Sequence, residues 1–353
     1  MSRPVNHLSK MRMLSLFVAP VLAATALSGC GSSSSSGGAG GGIYLGLSNS
    51  SVTSSFRGIM INSFNAEAKT LKAAGEINKY TVQNAGDDVS KQIQQIHNMV
   101  QSGVNVLVID AQSSTGLNAE IAAAVAKGVT VVSTDNLVTT DKAINVQVDP
   151  KVIAAKTAQG LVDIIGGKGK VVMLEGIAGT PVNETRNQLA KDVFSKYPGI
   201  KVIEVNVDWN PATSKQKVAQ LISQNPDIAG IWDQGDSAGG AANAYIDAKK
   251  PMPPIVFDGT TDFLNIWKKS IASGYKTVGA PQPPAVVVDA IWLGLKAHKD
   301  KCTATSNPIA LDTPLLTNAN IDTVWKAGMT DEPGQFVNPV PVPRTALDKY
   351  LSC

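Results

Sequence analysis

Short apolar runs alternate along residues 43–299 with longer segments whose apolar positions recur every three or four residues. The runs predict buried strands and the longer segments predict amphipathic helices. The predicted strands are 43–47, 76–82, 104–109, 129–132, 143–148, 170–174, 200–205, 228–232, 254–257 and 275–279. The predicted helices are 55–74, 88–103, 117–127, 149–165, 181–197, 211–223, 238–249, 261–273 and 283–299. Apolar strands separated by helices predict an α/β fold with parallel sheets covered on both faces.

The strand–helix pattern restarts after residue 148, which predicts two similar doubly wound domains. Residues 43–353 are long enough for two ordinary hydrophobic cores. Beyond Lys301 the pattern gives way to a tail that contains Pro333 and Pro343, and we expect this tail to run extended over the surface.

The N-terminal segment has the composition of an export signal. Arg3, Lys10 and Arg12 precede the apolar run Met13–Leu27, which is too short for an ordinary membrane-spanning helix. The ending Leu-Ser-Gly-Cys at residues 27–30 resembles the lipobox of bacterial lipoproteins. The resemblance implies a signal peptide over 1–29, a lipid on Cys30, a Ser/Gly-rich tether over 30–42, and a location in the cell envelope outside the cytoplasm.

Charge and cysteine content narrow the function further. The chain has 31 basic and 28 acidic residues, but removing residues 1–29 leaves 28 of each, so no excess charge favours nucleic acid. With Cys30 assigned to lipid, Cys302 and Cys353 are expected to form a disulfide in an oxidising compartment, provided that the fold brings them together. Only His97 and His298 follow the signal, too few for a histidine-based metal site.

Polar side chains follow most of the predicted strands at the point where each strand ends. They are Ser48, Asn49, Asp110, Asp135, Asn136, Glu175, Asp208, Gln234, Asp236, Asp258 and Gln282, with Trp209 among them. The carboxyl ends of parallel strands lie at one edge of a sheet, where ligands of open α/β folds bind. Carboxylates and amides bind hydroxyl groups, and aromatic faces cover the C–H faces of a sugar ring, so this set indicates a neutral polyhydroxyl ligand.

One motif supports a different class of protein. Residues 235–239 match G-x-S-x-G between a predicted strand and a predicted helix, which is the setting of a serine nucleophile. A hydrolase using Ser237 would need a later acid, Asp258 or Asp289, and His298. His298 lies at a charged helix end, and small residues also suit any tight strand-to-helix turn. We therefore expect a protein that is not an enzyme.

Three segments carry a family resemblance: residues 131–136, residues 175–180 with Arg186, and residues 256–260. They resemble the ribose/galactose-type periplasmic sugar-binding proteins of ABC importers, a resemblance that covers residues 43 to about 300. It implies two Rossmann-like domains, joined by three crossovers, that close on the ligand like a hinge.

The resemblance also implies roles for individual residues. Phe56 and Trp209 would cover the two faces of a sugar. The hydrogen-bonding set would be Arg57, Asp135, Arg186, Asp258 and Gln282. The chain departs from the family pattern at Asn136, where many relatives have arginine, and at Gly235, which leaves Asp236 as the nearer polar group.

The expected N-terminal lobe combines 43–149 with about 282–312, and the C-terminal lobe combines 150–281 with about 313–353. We expect a monomeric solute-binding lipoprotein that captures a monosaccharide or polyol without a cofactor and delivers it to an ABC permease. A ligand sensor for a membrane receptor would use the same cleft and is the alternative from a different class.

Overall fold

The computed structural model describes residues 42–257, 259–337 and 342–353. Its strands are β1 Tyr44–Asn49, β2 Lys79–Asn84, β3 Val106–Ile109, β4 Thr130–Thr134, β5 Ile144–Val148, β6 Lys168–Glu175, β7 Gly199–Asn206, β8 Ile228–Asp233, β9 Thr303–Ala304, β10 Ile309–Leu311 and β11 Leu351–Ser352. Its α-helices are α1 Ser55–Ala73, α2 Val89–Gln101, α3 Asn118–Ala126, α4 Thr157–Ile165, α5 Pro181–Phe194, α6 Pro211–Gln224, α7 Ala238–Asp247, α8 Thr261–Ser270, α9 Val286–Asp300 and α10 Arg344–Leu347.

The first sheet consists of six parallel strands in the order β10-β5-β4-β3-β1-β2. Helices α1 and α9 pack on one face, and α2 and α3 pack on the other, so β3 is buried along its whole length. We call this sheet and its four helices the first lobe. The predicted parallel α/β architecture is confirmed.

The second sheet has β6 at its centre, between β7 and β8, with both pairings parallel. Helices α4 and α5 cover one face and α6, α7 and α8 the other. We call this sheet and its five helices the second lobe. The predicted strands 254–257 and 275–279 are reduced to single bridges, Ile231 with Ile255 and Phe257 with Gly279, which extend the sheet beyond β8.

The chain passes between the lobes three times before Val337, which packs in the second lobe. It leaves β5 for a π-helical turn at Lys151–Lys156 that precedes α4, and it returns between Gly279 and α9. It leaves the first sheet again after β10, since Leu316 pairs with Gly279 in the second lobe. These passages run beside one another, as a hinge between two domains requires.

The end of the tail lies elsewhere than expected. We expected residues up to 353 in the C-terminal lobe, but Leu347 and Leu351 pack in the core of the first lobe and β11 pairs antiparallel with β9. The structure joins Cys302 to Cys353, with 4.1 Å between their Cα atoms. Apolar side chains at 347 and 351 therefore return the last residues to α9.

Among the residues that the structure describes, no helix is both long and apolar enough to cross a membrane. The predicted signal peptide, the lipidated Cys30 and the tether up to residue 41 lie outside the described residues.

Candidate functional site

A cavity between the lobes gathers most of the residues that the sequence nominated. It is lined by Ser54, Phe56, Arg57, Asp135, Val182, Arg186, Trp209, Gly235, Asp236 and Gln282. The volume of the cavity is about 30 Å³, well below the roughly 300–1,000 Å³ of typical small-molecule pockets. A ligand the size of a sugar therefore needs the lining residues or the lobes to move apart.

The strand ends and the first turns of helices position these side chains. Asp135 follows β4, and Arg57 lies in the first turn of α1, which Ser54 caps. Trp209 and Asp236 follow β7 and β8. Asp135, Trp209 and Asp236 have φ values of 59°, 53° and 55°, a left-handed conformation that is uncommon for residues other than glycine and that concentrates at functional sites.

Two carboxylates hold Arg57 inside the first lobe. Its Nη1 lies 2.6 Å from Asp135 Oδ2, and its Nε lies 3.2 Å from Asp110 Oδ2. Burial disfavours the charged guanidinium, but the two carboxylates outweigh this effect and keep the pKa of Arg57 above its ordinary value. Burial also raises the pKa of Asp110, although Arg57 opposes the rise. The result is a fixed positive charge at the cavity wall.

Arg186 brings a second positive charge from α5 of the second lobe. Its Nη1 donates to the carbonyl oxygen of Gln234 at 2.7 Å, and its Nη2 donates to Gln282 Oε1. The amide nitrogen of Gln282 in turn donates to Asp135. A continuous chain of polar contacts therefore runs from the first lobe through the crossover residue Gln282 to the second lobe.

Phe56 and Trp209 supply aromatic surface from opposite lobes. The indole of Trp209 rests directly on Gly176, where an added Cβ would come within 2.0 Å of Trp209 Cε2. Gly176 is held in turn, because its amide donates to Asn183 Oδ1 at 2.8 Å. Trp209 can therefore occupy this position only because residue 176 has no side chain.

Asn136 is buried beside the cavity but does not line it. Its side-chain nitrogen donates to Asp110 Oδ1 at 3.0 Å, and its side-chain oxygen accepts from the backbone amide of Val182 at 3.1 Å. Val182 lies in the first turn of α5 in the second lobe, where backbone amides lack helical partners. Asn136 therefore connects the lobes, a geometry that differs from the ligand contact expected of it.

Ser237 and His298 are not among the residues that line the cavity. Asp258 lies outside the described residues. Ser237 immediately precedes α7 in the second lobe, whereas His298 lies near the end of α9 in the first lobe and contacts Thr130 Oγ1 at 3.1 Å. The serine of the G-x-S-x-G motif is thus packed in a different lobe from the histidine that a hydrolase would need.

Sequence reasoning left some contributors out of the nominated set. The sequence identifies Asp110 and Gln234 only as strand-end residues, yet they fix the two arginines. Val182 and Ser54 line the cavity because they lie at the N-terminal ends of α5 and α1, and neither residue type signals a ligand by itself.

A model of the periplasmic binding protein domain matches residues 45–301. The chain belongs to this family. The match includes both sheets except for β10, and it extends through α9. The two α/β lobes with a cavity between them, described above, have the periplasmic binding protein fold.

Individual family members are similar over different lengths. A xylitol-binding protein of Mycolicibacterium smegmatis is 33% identical over 190 residues, which are 52% of this chain and 54% of that protein. The D-allose-binding periplasmic protein of Escherichia coli is 27% identical over 230 residues, covering 62% of this chain and 72% of that one. The crystal structure of an ABC transporter solute-binding protein from Thermobispora bispora superposes with a TM-score of 0.77 and 25% identity, covering 87% and 94% of the two chains.

Proposed function

We propose that this protein captures a neutral polyol or monosaccharide in the cavity between its lobes and delivers it to an ABC permease. The observation that supports this most strongly is the convergence of Phe56, Arg57 and Asp135 from one lobe with Arg186 and Trp209 from the other. The names of the similar proteins, which specify xylitol and D-allose, agree in chemical class.

The charges in the cavity favour a neutral ligand over an acidic one. Arg57 is paired with two carboxylates, and Arg186 Nη2 lies 4.0 Å from Asp135 Oδ1. Asp236 adds a further acidic side chain to the wall. Carboxylate oxygens accept hydrogen bonds from hydroxyl groups, and the arginine and amide N–H groups donate to hydroxyl oxygens. A compound rich in hydroxyl groups can use both kinds of partner.

Capture would proceed as a shift between open and closed arrangements of the lobes. A ligand that touches residues of both lobes binds the closed arrangement more tightly, so its binding energy offsets the cost of closing. The lobes we assign are 43–149 with about 282–312 and 342–353, and 150–281 with about 313–337. The protein would act as a monomer, without a cofactor or chemical catalysis.

We further propose that Cys30 carries the lipid and that residues 30–42 form the tether. Burial of acyl chains contributes about 0.8 kcal/mol per CH₂, so several chains on one cysteine would attach the protein stably to a membrane. Attachment outside the cytoplasm would keep the captured solute within reach of the permease.

A thermal-shift screen of the full-length protein in detergent against pentitols, hexitols, pentoses and hexoses tests the proposal. A ligand present at 100 times its Kd should add about 2.7 kcal/mol to the free energy of unfolding. Isothermal titration of the best compound should then give one site per chain. No response to any compound of these classes would refute the function.

A further inference from the structure

A segment of the tail, residues 329–337, lies on the second lobe, and we call it the strap. The side-chain amide of Asn265 in α8 donates to the carbonyl oxygens of the first two strap residues at 3.0 and 3.3 Å. Near its other end, the backbone amide of Thr261 donates to the carbonyl of Gln335 at 2.8 Å. Val337 packs in the core of the second lobe. The strap is therefore fixed to α8 at both ends.

The strap also contacts the first lobe, at the start of α1. The ring of Phe336 packs edge-on against Phe56, with 5.4 Å between centroids and 83° between planes. Two residues earlier, Gly334 has a φ of +75°, and an added Cβ there would come within 2.2 Å of Ser55 Oγ. A left-handed glycine lets the strap pass this close to α1. Phe336 itself is 8% exposed and belongs to the core of the first lobe.

We propose that the strap is part of the ligand-capture machinery and that Phe336 is a positioning residue for Phe56. This inference rests on the proposed function. Because the strap is fixed to the second lobe while Phe56 belongs to the first, the contact between the rings forms only when the lobes are together. Phe336 thus stabilises the closed arrangement and sets the tilt of the aromatic ring that lines the cavity.

The expected effect follows from the population of the closed arrangement. A binding-competent state that becomes rarer raises the apparent Kd by the same factor. An edge-to-face aromatic contact corresponds to a Kd change of about fivefold. Phe336→Ala should therefore raise the Kd about fivefold, mainly through faster dissociation, and Phe336→Leu, which keeps most of the apolar volume, should give an intermediate Kd.

Ile321→Val provides the matched control, since it truncates a buried apolar residue of the tail that packs in the second lobe and lies outside the strap. Titrations of the full-length protein with xylitol and with D-allose would compare the four proteins. Hydrogen–deuterium exchange of the ligand-free protein gives a second readout, because opening exposes the first turns of α1. Phe336→Ala should accelerate exchange over residues 55–60, and Ile321→Val should leave it at the wild-type rate.

The results distinguish a failure of the role proposed for the strap from a failure of the proposed function. Equal Kd values for Phe336→Ala and wild type, or equal effects of Phe336→Ala and Ile321→Val, would overturn the inference while leaving the function intact. If the wild type bound neither xylitol nor D-allose, exchange at residues 55–60 would still decide: unchanged protection in Phe336→Ala would overturn the role of the strap, and a local acceleration confined to that variant would support it.

Discussion

Replacing Gly176 by alanine should displace the aromatic wall of the cavity without disturbing the backbone that carries it. The φ of Gly176 lies outside the left-handed region, so the main chain accepts a Cβ there. The new Cβ, however, would come within 2.0 Å of Trp209 Cε2, 2.3 Å of Cζ2 and 2.4 Å of Nε1. The indole has to move, and its own backbone turn is already left-handed.

The size of the effect follows from contact distances. Carbon atoms in van der Waals contact lie about 3.5–4.0 Å apart, so the ring must retreat by roughly 1.5 Å. A gap of about 1 Å already removes up to half of a dispersion contact, so this displacement removes most of the face that Trp209 offers to a ligand. We take the loss of binding free energy as about 1.4 kcal/mol, which corresponds to a tenfold increase in Kd.

Isothermal titration with the strongest ligand of the screen would measure this change. Gly58→Ala is the matched control, since Gly58 is exposed on α1 next to Arg57 and an added Cβ would meet nothing within 4 Å. That variant should bind like wild type and gain about 0.5–1 kcal/mol of helix stability. In a Trp209→Ala background, Gly176→Ala should cost nothing further, because the two changes remove the same contact. A Kd for Gly176→Ala within twofold of wild type would refute the reasoning.

Three other substitutions test separate parts of the structure. Asn136→Ala removes the hydrogen bonds to Asp110 and to α5 that connect the lobes. This loss should raise the Kd about fivefold, or about 1 kcal/mol. A Kd equal to that of wild type would show that the connection does not favour closure. Burial raises the pKa of Asp289 to about 7, so the folded state holds a proton that the unfolded chain releases above about pH 4, and stability falls as the pH rises towards 7. The free energy of unfolding of Asp289→Asn, measured in urea, should therefore rise by about 3 kcal/mol relative to that of wild type between pH 5 and pH 8. A difference that stays constant over this range would contradict the assignment. Replacing Cys302 and Cys353 together by serine opens a loop with a sequence separation of 51. In the chain-entropy treatment this should lower the free energy of unfolding by about 4 kcal/mol. An unchanged denaturation midpoint under non-reducing conditions would show that the thiols are not bridged.

Burial explains which elements could be predicted. All residues of β3 are buried, so its apolar run is continuous and its identity as a strand was evident. In contrast, β2 is a half-buried edge strand that begins at Lys79, three residues later than predicted, where it pairs with Tyr44 of β1. The three-residue β10 exists only because β5 offers a free edge, and nothing in its local pattern indicates that partner.

The same distinction applies to the site. The rule that ligands bind beyond the carboxyl ends of parallel strands correctly selected Asp135 and Asp236 for the cavity wall. It could not reveal that Asn136 turns away to a helix 46 residues along the chain. Nor could it reveal that Phe336 packs on Phe56, since only the folded tail brings these residues together.

Polar contacts link the side chains of Arg57, Asp135, Gln282 and Arg186. A ligand that enters the cavity must therefore replace some of these hydrogen bonds with its own. These groups already satisfy one another, so a solute that offers one or two hydroxyl groups would break more hydrogen bonds than it forms. Buried polar groups that lose a partner cost about 1–3 kcal/mol each. The affinity of a ligand would therefore depend first on its number of hydroxyl groups and only then on their stereochemistry. Simple alcohols or water at high concentration would compete poorly with a dilute polyol.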